Sequence, residues 1–473
     1  MTTAVLLAAR QPLDDGSVIE RLALQLRALA VEDVRVITRP EWAASLESLP
    51  VTVLLSGSAK EDLLAVAGVA RGGDGPLVVG SGDVVTHRSA LDGLLTDPRV
   101  ATGILAADDG VTRPGSYGMR TERGRVLSVG SPYHAVARPN NTFLGVVKVS
   151  PAERETLAQV AERLAAMDLQ GADDVAALLA VGLVRSGVRL TQSFLGKLFW
   201  ARPASPEELE RATEEIGRVD EDRVLLDSAV KPNDGFFTTF FVSPYSKYIA
   251  RWAARRGFNP NQVTTFSMLV GVAAAAAFAF GTRAGLIAGA VLLQAAFTFD
   301  CVDGQLARYT RTFSKFGAWL DSLFDRGKEY VVFAGLAIGS SRAGDPVWLL
   351  ASAALTFQTV RHYLDFSFGA SEQHELETAP QRPLDDPADG VAARPAASVS
   401  SAKTTLSAWE RTNRLPGVIW IKRMLPFPIG ERFAVISITA ALFTPRTTFV
   451  VVLGWGAVAA AYTLAGRLLR SVR

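Results

Sequence analysis

The sequence predicts a soluble α/β domain over residues 1–200, followed by an all-α domain of six transmembrane spans. Two observations lead there. Hydrophobic residues make up 49% of the 473 and mean hydropathy is +0.20, yet 20% of residues are charged. That mixture is too long for one ordinary domain and fits a soluble part joined to a membrane part. The apolar residues are also unevenly placed. Short runs alternate with helical patterns up to about residue 190, and long apolar stretches begin at residue 262.

In the first part, 4–9, 34–38, 51–55, 77–79, 103–106 and 143–149 read as strands. Residues 19–30, 61–69 and 152–167 read as helices between them, and that order argues for a layered sheet with helices on both faces. Residues 201–257 form a connector. Pro206 opens a Glu-rich helix there. Beyond it Phe236, Phe237, Phe240, Phe241, Tyr245, Tyr248 and Trp252 accompany Lys247, Arg251, Arg255 and Arg256, as in a helix lying at a membrane surface.

The spans expected in 258–473 are 262–281, 285–299, 331–339 extended backwards, 347–368, 433–443 and 449–464. Basic residues set their orientation. One side carries Arg251, Arg255, Arg256, Arg308, Arg311, Lys315, Lys422, Arg423 and Arg467 among others; the other carries Arg283, Arg342 and Arg446. The positive-inside rule then puts both termini on the cytoplasmic face of a multi-pass cell-membrane protein. Residues 371–405, rich in Pro, Ala, Ser and Asp, read as a disordered cytoplasmic loop. Net charge is only +2, which gives no sign of a nucleic-acid partner. The single cysteine, Cys301, excludes an internal disulfide and suits a reducing compartment. The N-terminus lacks the basic start of a signal peptide.

Chemistry concentrates in one stretch. Asp300 and Asp303 are i,i+3 on one helix face, followed by Gly304, Ala307 and Arg308; Gly317, Asp321 and Asp325 step by i,i+4 along the next helix. A carboxylate at bilayer depth costs about 2.5–3.5 kcal/mol even on lenient scales, so four together need a partner. A pair of hard divalent cations, Mg²⁺ or Mn²⁺, meets that need. Salt bridges to Arg308, Arg311, Lys315, Arg326 and Lys328 are the bland alternative, and suffice for any one Asp taken alone.

The whole pattern, Asp300-x-x-Asp303-Gly304-x-x-Ala307-Arg308, eight residues, Gly317, three, Asp321, three, Asp325, resembles the signature of the CDP-alcohol phosphotransferases. The resemblance covers about residues 231–473, including Lys231–Gly235 and the turn Pro260–Thr264. It implies metal binding by Asp300, Asp303, Asp321 and Asp325, with Asp325 also the general base for an acceptor hydroxyl. It places the CDP-linked donor against Asp300, Asp303, Gly304, Ala307, Arg308, Gly317 and Asp321, with CMP released. It implies phospholipid or inositol phosphodiester synthesis, a membrane-lipid partner and a homodimer. CDP-diacylglycerol and CDP-inositol both remain open as donors. Lys315, Arg361, Arg414, Arg423 and Arg432 are candidates for holding an acceptor such as inositol phosphate; ordinary positive-inside charge is the alternative for them.

The first domain resembles sugar-phosphate cytidylyltransferases, a Rossmann-like nucleotidyltransferase fold, in Val5–Ala9, Ile19–Leu22, Val78–Val84, Asn141–Gly145 and Ser205–Leu209. The whole layout resembles fusions of an inositol-phosphate cytidylyltransferase with a di-inositol-phosphate phosphate synthase. Two departures imply a catalytically degenerate domain. The Gly-rich loop after the first strand is replaced by Arg10–Ser17, and Phe199–Pro203 lacks the late metal-binding Asp, so that Asp83 alone remains. A bifunctional enzyme is the alternative. A membrane transporter is a further one, but ion pathways need no glycines spaced in this way.

Overall fold

The computed structural model describes residues 1–10, 13, 17–108, 110–122, 124–133, 135–167, 169, 174–231, 234–378 and 416–471. They form two compact units, Met1–Leu225 and the described residues from Leu226 onward.

Unit 1 contains, in chain order, β1 (Thr3–Ala8), α1 (Ser17–Arg27), β2 (Asp33–Thr38), β3 (Thr52–Leu55), α2 (Ala59–Arg71), β4 (Leu77–Ser81), β5 (Val85–Thr86) and α3 (Arg88–Leu95). Then come β6 (Gly103–Ala107), β7 (Tyr117–Glu122), β8 (Arg125–Val129), β9 (Asn141–Val149), α4 (Arg154–Ala165), α5 (Val175–Arg185), β10 (Thr191–Phe194), β11 (Trp200–Ala201) and α6 (Pro206–Arg218). All six expected strands and three expected helices are present. The nine-stranded sheet runs β3-β2-β1-β4-β9-β6-β10-β8-β7. Strands β1 to β4 pair in parallel, and β9 lies antiparallel between β4 and β6.

The two faces of the sheet follow from period-2 alternation. Along β1, Val5 and Leu7 join a core with α2, α4 and α5, while Ala4, Leu6 and Ala8 join another with α1 and α3. The sequence gives no periodic sign of α5, because VAALLAVGLVR is apolar on every side; it is buried accordingly. Unit 1 extends past the expected boundary at residue 200. Ala212 of α6 is buried, and Val219 and Val224 pack on the α1/α3 core.

Unit 2 is helical: α7 (Glu221–Ser228, which straddles the boundary), a turn of π-helix (Thr238–Val242), α8 (Ser243–Arg255), α9 (Pro260–Ala279), α10 (Arg283–Thr310), α11 (Lys315–Arg342), α12 (Trp348–Thr378), α13 (Pro416–Met424), α14 (Ile429–Leu442) and α15 (Pro445–Ser471). A helix overlaps each of the six stretches expected as spans. Among the described residues, three are long and apolar enough to cross a membrane: Pro260–Ala279, Arg283–Thr310 and Pro445–Arg467. Helix α14 has 14 residues, so it reaches only about 21 Å. The expected disordered loop 371–405 lies outside the described residues from 379 on, while 371–378 continue α12.

Helix α9 packs against both α10 and α11. Small residues bring the backbones close: a Cβ at Gly335 or Gly339 of α11 would lie 2.3 or 2.0 Å from the α9 carbonyl oxygens of Ala275 and Phe278. Helix α8 is amphipathic. Ala250 and Ala253 are buried with Val263, Val302 and Leu306, and Ser246 Oγ donates to Gln305 Oε1 at 2.9 Å. Phe240, Phe241, Tyr245, Tyr248 and Trp252 are exposed, with Arg256 over the Trp252 ring.

Candidate active site

Helix α10 carries Asp300, Asp303, Gly304, Ala307 and Arg308 in its last third and ends at Arg311, which takes a left-handed φ of 55°. Ser314 then caps α11, accepting from Gly317 N at 2.8 Å. Gly317 sits in a crowded turn, where a Cβ would lie 2.7 Å from Asn261 Oδ1 and 2.8 Å from Ser314 Oγ. Asp321 and Asp325 follow on α11. Both motif helices lean on α9, and their acidic side chains bridge the space between them.

Carboxylate oxygens of Asp300, Asp303 and Asp321 lie within 4.8 Å of one another. Asp303 is 3% exposed, and its Oδ2 has no hydrogen-bond partner among the described residues. An orphaned buried oxygen among converging carboxylates fits a hard divalent cation. Asp325 stands beside this trio without belonging to it. A Cβ on Gly304 would occupy space 3.3 Å from Arg308 Nη1, so the glycine leaves the face beside that guanidinium clear. Arg308 itself donates through Nε to the carbonyl of Ala229.

Sequence reasoning named Lys328 only as a salt-bridge alternative, a pairing the structure shows, and passed over Glu329 and His362. Lys328 Nζ pairs with Asp300 and lies 3.2 Å from Asp325 Oδ1. Glu329 is buried and takes Arg432 Nε at 3.0 Å, with His362 Nε2 3.6 Å away. Arg432, a candidate for holding the acceptor, is thus already committed inside the fold. Arg361 is partly committed too, donating to Pro426 O. Asp234, from the approach segment, is half-buried. Burial lifts its carboxyl above the usual carboxylate range, against the opposing pull of Lys231, Arg308 and Arg423. Its neighbours Pro232 and Asn233, and Arg414, lie outside the described residues.

In unit 1 a cavity of about 630 Å³ is lined by Leu7, Arg10, Ser81, Asp83, Asp174 and Arg202 among others. Arg202 is buried, with Nε 2.7 Å from Asp83 Oδ1 and Nη1 paired with Asp174 and donating to Gly115 O at 2.9 Å. Burial lowers its pKa, but Asp174 and Asp83 more than offset that and hold it above the ordinary arginine value. Arg10 Nη1 reaches Asp83 Oδ2 at 3.4 Å. Asp83 is therefore engaged by two guanidinium groups. Arg202 comes from the very stretch, Phe199–Pro203, in which the late acidic ligand was expected.

Residues 258–374, which include every motif position, match the family model described as CDP-alcohol phosphatidyltransferase. The chain is 29% identical over 170 residues to the "Bifunctional IPC transferase and DIPP synthase" of Aquifex aeolicus, covering 35% of this chain and 36% of that protein. It is 36% identical over 101 residues to the "Archaetidylinositol phosphate synthase" of Pyrococcus horikoshii, covering 21% and 52%. It is 32% identical over 111 residues to the "Phosphatidylinositol phosphate synthase" of Streptomyces avermitilis, covering 23% and 42%. The matched segment thus spans between about a third and a half of each relative's length. Among solved structures, the inositol-1-phosphate CTP transferase from T. maritima superposes with a TM-score of 0.37 at 14% identity, over 46% of this chain and 97% of that one.

Proposed function

We propose that unit 2 is an integral-membrane CDP-alcohol phosphotransferase, transferring the substituted phosphate of a CDP-linked donor to an acceptor hydroxyl with release of CMP. The observation that carries this is the convergence of Asp300, Asp303 and Asp321, three carboxylates of the matched motif, on one point between two helices. Those three residues would hold Mg²⁺ or Mn²⁺, two ions per site, with Asp325 as a further ligand. When bound there, such ions would supply positive charge to offset that of the pyrophosphate. Asp325 takes the proton of the acceptor hydroxyl; the acceptor oxygen bonds to the alcohol-bearing phosphorus, and the bridging P–O bond breaks toward CMP. Gly304 and Ala307 leave room for the nucleotide, Arg308 offers it a guanidinium, and Gly317 lets the α11 cap close against Asn261 and Ser314.

Six spans, α9 to α12 with α14 and α15, both termini on the cytoplasmic side and a homodimer complete the reading. The exposed aromatics of α8 and the π-helical turn rest on the cytoplasmic leaflet. An apolar cavity of about 1000 Å³, lined by Ile249, Trp252, Phe258, Phe266, Phe299 and Leu320 among others, supports a lipid-linked donor over a wholly polar one. The relatives' names support an inositol-containing acceptor.

Unit 1 is a degenerate nucleotidyltransferase-like domain in which Arg202 neutralises the carboxylates that a cation would otherwise meet. Purified full-length protein, offered CDP-diacylglycerol, CDP-inositol and other CDP-alcohols with inositol phosphate and Mg²⁺, should release CMP. CTP and inositol phosphate should yield no pyrophosphate. Absence of CMP with every donor would reject the phosphotransferase assignment, and Asp83-dependent pyrophosphate release would make the chain bifunctional.

A further inference from the structure

The carboxylate cluster already contains a cation. Lys328 has a fully buried side chain, although lysine almost never is unless paired. Its ammonium meets three helices. It contacts Asp300 on α10, lies 3.2 Å from Asp325 on its own helix α11, and donates to Ser267 Oγ on α9 at 3.1 Å. Ser267 Oγ donates onward to the carbonyl of Ala296 on α10 at 2.8 Å, which fixes the hydroxyl as an acceptor for Lys328. The lysine stem has a prepared channel. Gly271 lies one turn after Ser267, and a Cβ there would sit 2.8 Å from Lys328 Cγ.

The ammonium thus ties together two residues of the eight-position motif that come from different helices. We propose that Lys328 is a positioning residue for the phosphotransfer. It holds Asp300 and Asp325 at a fixed separation across the space between α10 and α11, and it gives the acidic site one permanent positive charge. The proposal rests on the phosphotransferase reading. It adds that Asp300 is shared between an internal ammonium and the divalent cation, and that the orientation of Asp325 depends on a residue outside the motif.

Charge and position predict different outcomes. Lys328→Met removes a cation that competes for Asp300, so full-length protein in detergent micelles should bind Mn²⁺ at least about tenfold more tightly by paramagnetic resonance titration. The same variant frees Asp325 from its anchor, so kcat for CMP release should fall at least about tenfold, with the donor KM nearly unchanged. Gly271→Ala displaces the stem and leaves every charge in place, so Mn²⁺ affinity should hold while kcat falls. Ser267→Ala should act in the same way, more weakly. If Lys328→Met binds Mn²⁺ no more tightly, the charge role is wrong. If Gly271→Ala and Ser267→Ala both turn over like the unaltered protein, the positioning role is wrong, whether or not Lys328→Met folds. The Mn²⁺ titration needs no turnover. It therefore reads Lys328 even if the unaltered protein releases no CMP from any donor, a result that would count against the phosphotransferase reading alone.

Discussion

Replacing Asp325 by Asn separates the two jobs that the motif combines. The carboxylate oxygens that converge within 4.8 Å belong to Asp300, Asp303 and Asp321, and Asp325 lies beside them. Asn keeps the volume of Asp and removes the proton acceptor. Lys328 keeps its partner Asp300 and its hydrogen bond to Ser267, so no buried ammonium is stranded. The stability cost should then stay within about 1–3 kcal/mol, the range for one buried polar partner altered. Loss of a positioned general base typically removes about 10²–10⁴ in rate, so CMP release should fall by that factor. Mn²⁺ binding should weaken, but less than in Asp321→Asn, which takes a ligand out of the converging trio and should lower affinity by at least about tenfold. The assay pairs single-turnover CMP release with Mn²⁺ titration on the same micellar protein. Near-normal turnover in Asp325→Asn would refute the base assignment. Mn²⁺ binding weakened as severely as in Asp321→Asn would make Asp325 chiefly a metal ligand.

Three further outcomes follow from the same geometry. Excess EDTA should abolish CMP release and Mg²⁺ or Mn²⁺ should restore it; full activity in chelator would exclude a metal-dependent site. Gly317→Val should cost about 1–3 kcal/mol by forcing the α11 cap away from Asn261 and Ser314, and it should lower activity further, because Asp321 rides on that turn; an unchanged unfolding midpoint with full activity would contradict the crowding. Arg202→Ala should destabilise unit 1 by about 3–5 kcal/mol, since Asp174 is left buried and unpaired, while Asp83→Asn leaves CMP release unchanged; a calorimetric scan and the CMP assay check the two parts.

The layout was legible because its signals are periodic. Six strands of unit 1 alternate or run apolar over four to nine residues, and a helix runs through each apolar stretch expected as a span, three of these helices being long and apolar enough to cross a membrane among the described residues. The motif was legible because eight residues at fixed spacing over two consecutive helices have few structural explanations. What escaped was non-periodic or non-local. Helix α5 has no polar face to mark it. Strand β7 carries Arg120 and Glu122 outward and turns only Met119 and Thr121 inward. The unit boundary moved because α6 buries a single alanine. Lys328 reads in the sequence as one more cation near a helix end. Its burial follows from Ser267 and Gly271, some sixty residues earlier in the chain, and no spacing rule connects them.

The two units meet the same electrostatic problem in different ways. In each, carboxylates are held where water is scarce, and such a cluster persists only if positive charge reaches it. In unit 1 the charge is an arginine that contacts both Asp83 and Asp174 and also bonds a backbone carbonyl. Its fork takes up the acidic pair, so a cation entering there would have to displace a guanidinium locked by three partners. In unit 2 the charge is a lysine, a single point charge that hydrogen-bonds Asp300, lies 3.2 Å from Asp325 Oδ1 as an ion pair, and leaves Asp303 Oδ2 with no hydrogen-bond partner among the described residues. One ammonium cannot balance four carboxylates. The remaining carboxylates are where the proposed divalent cations would bind. The planar, multidentate cation takes up the acidic pair of its site, and the compact one leaves an acidic oxygen of its site without a hydrogen-bond partner among the described residues.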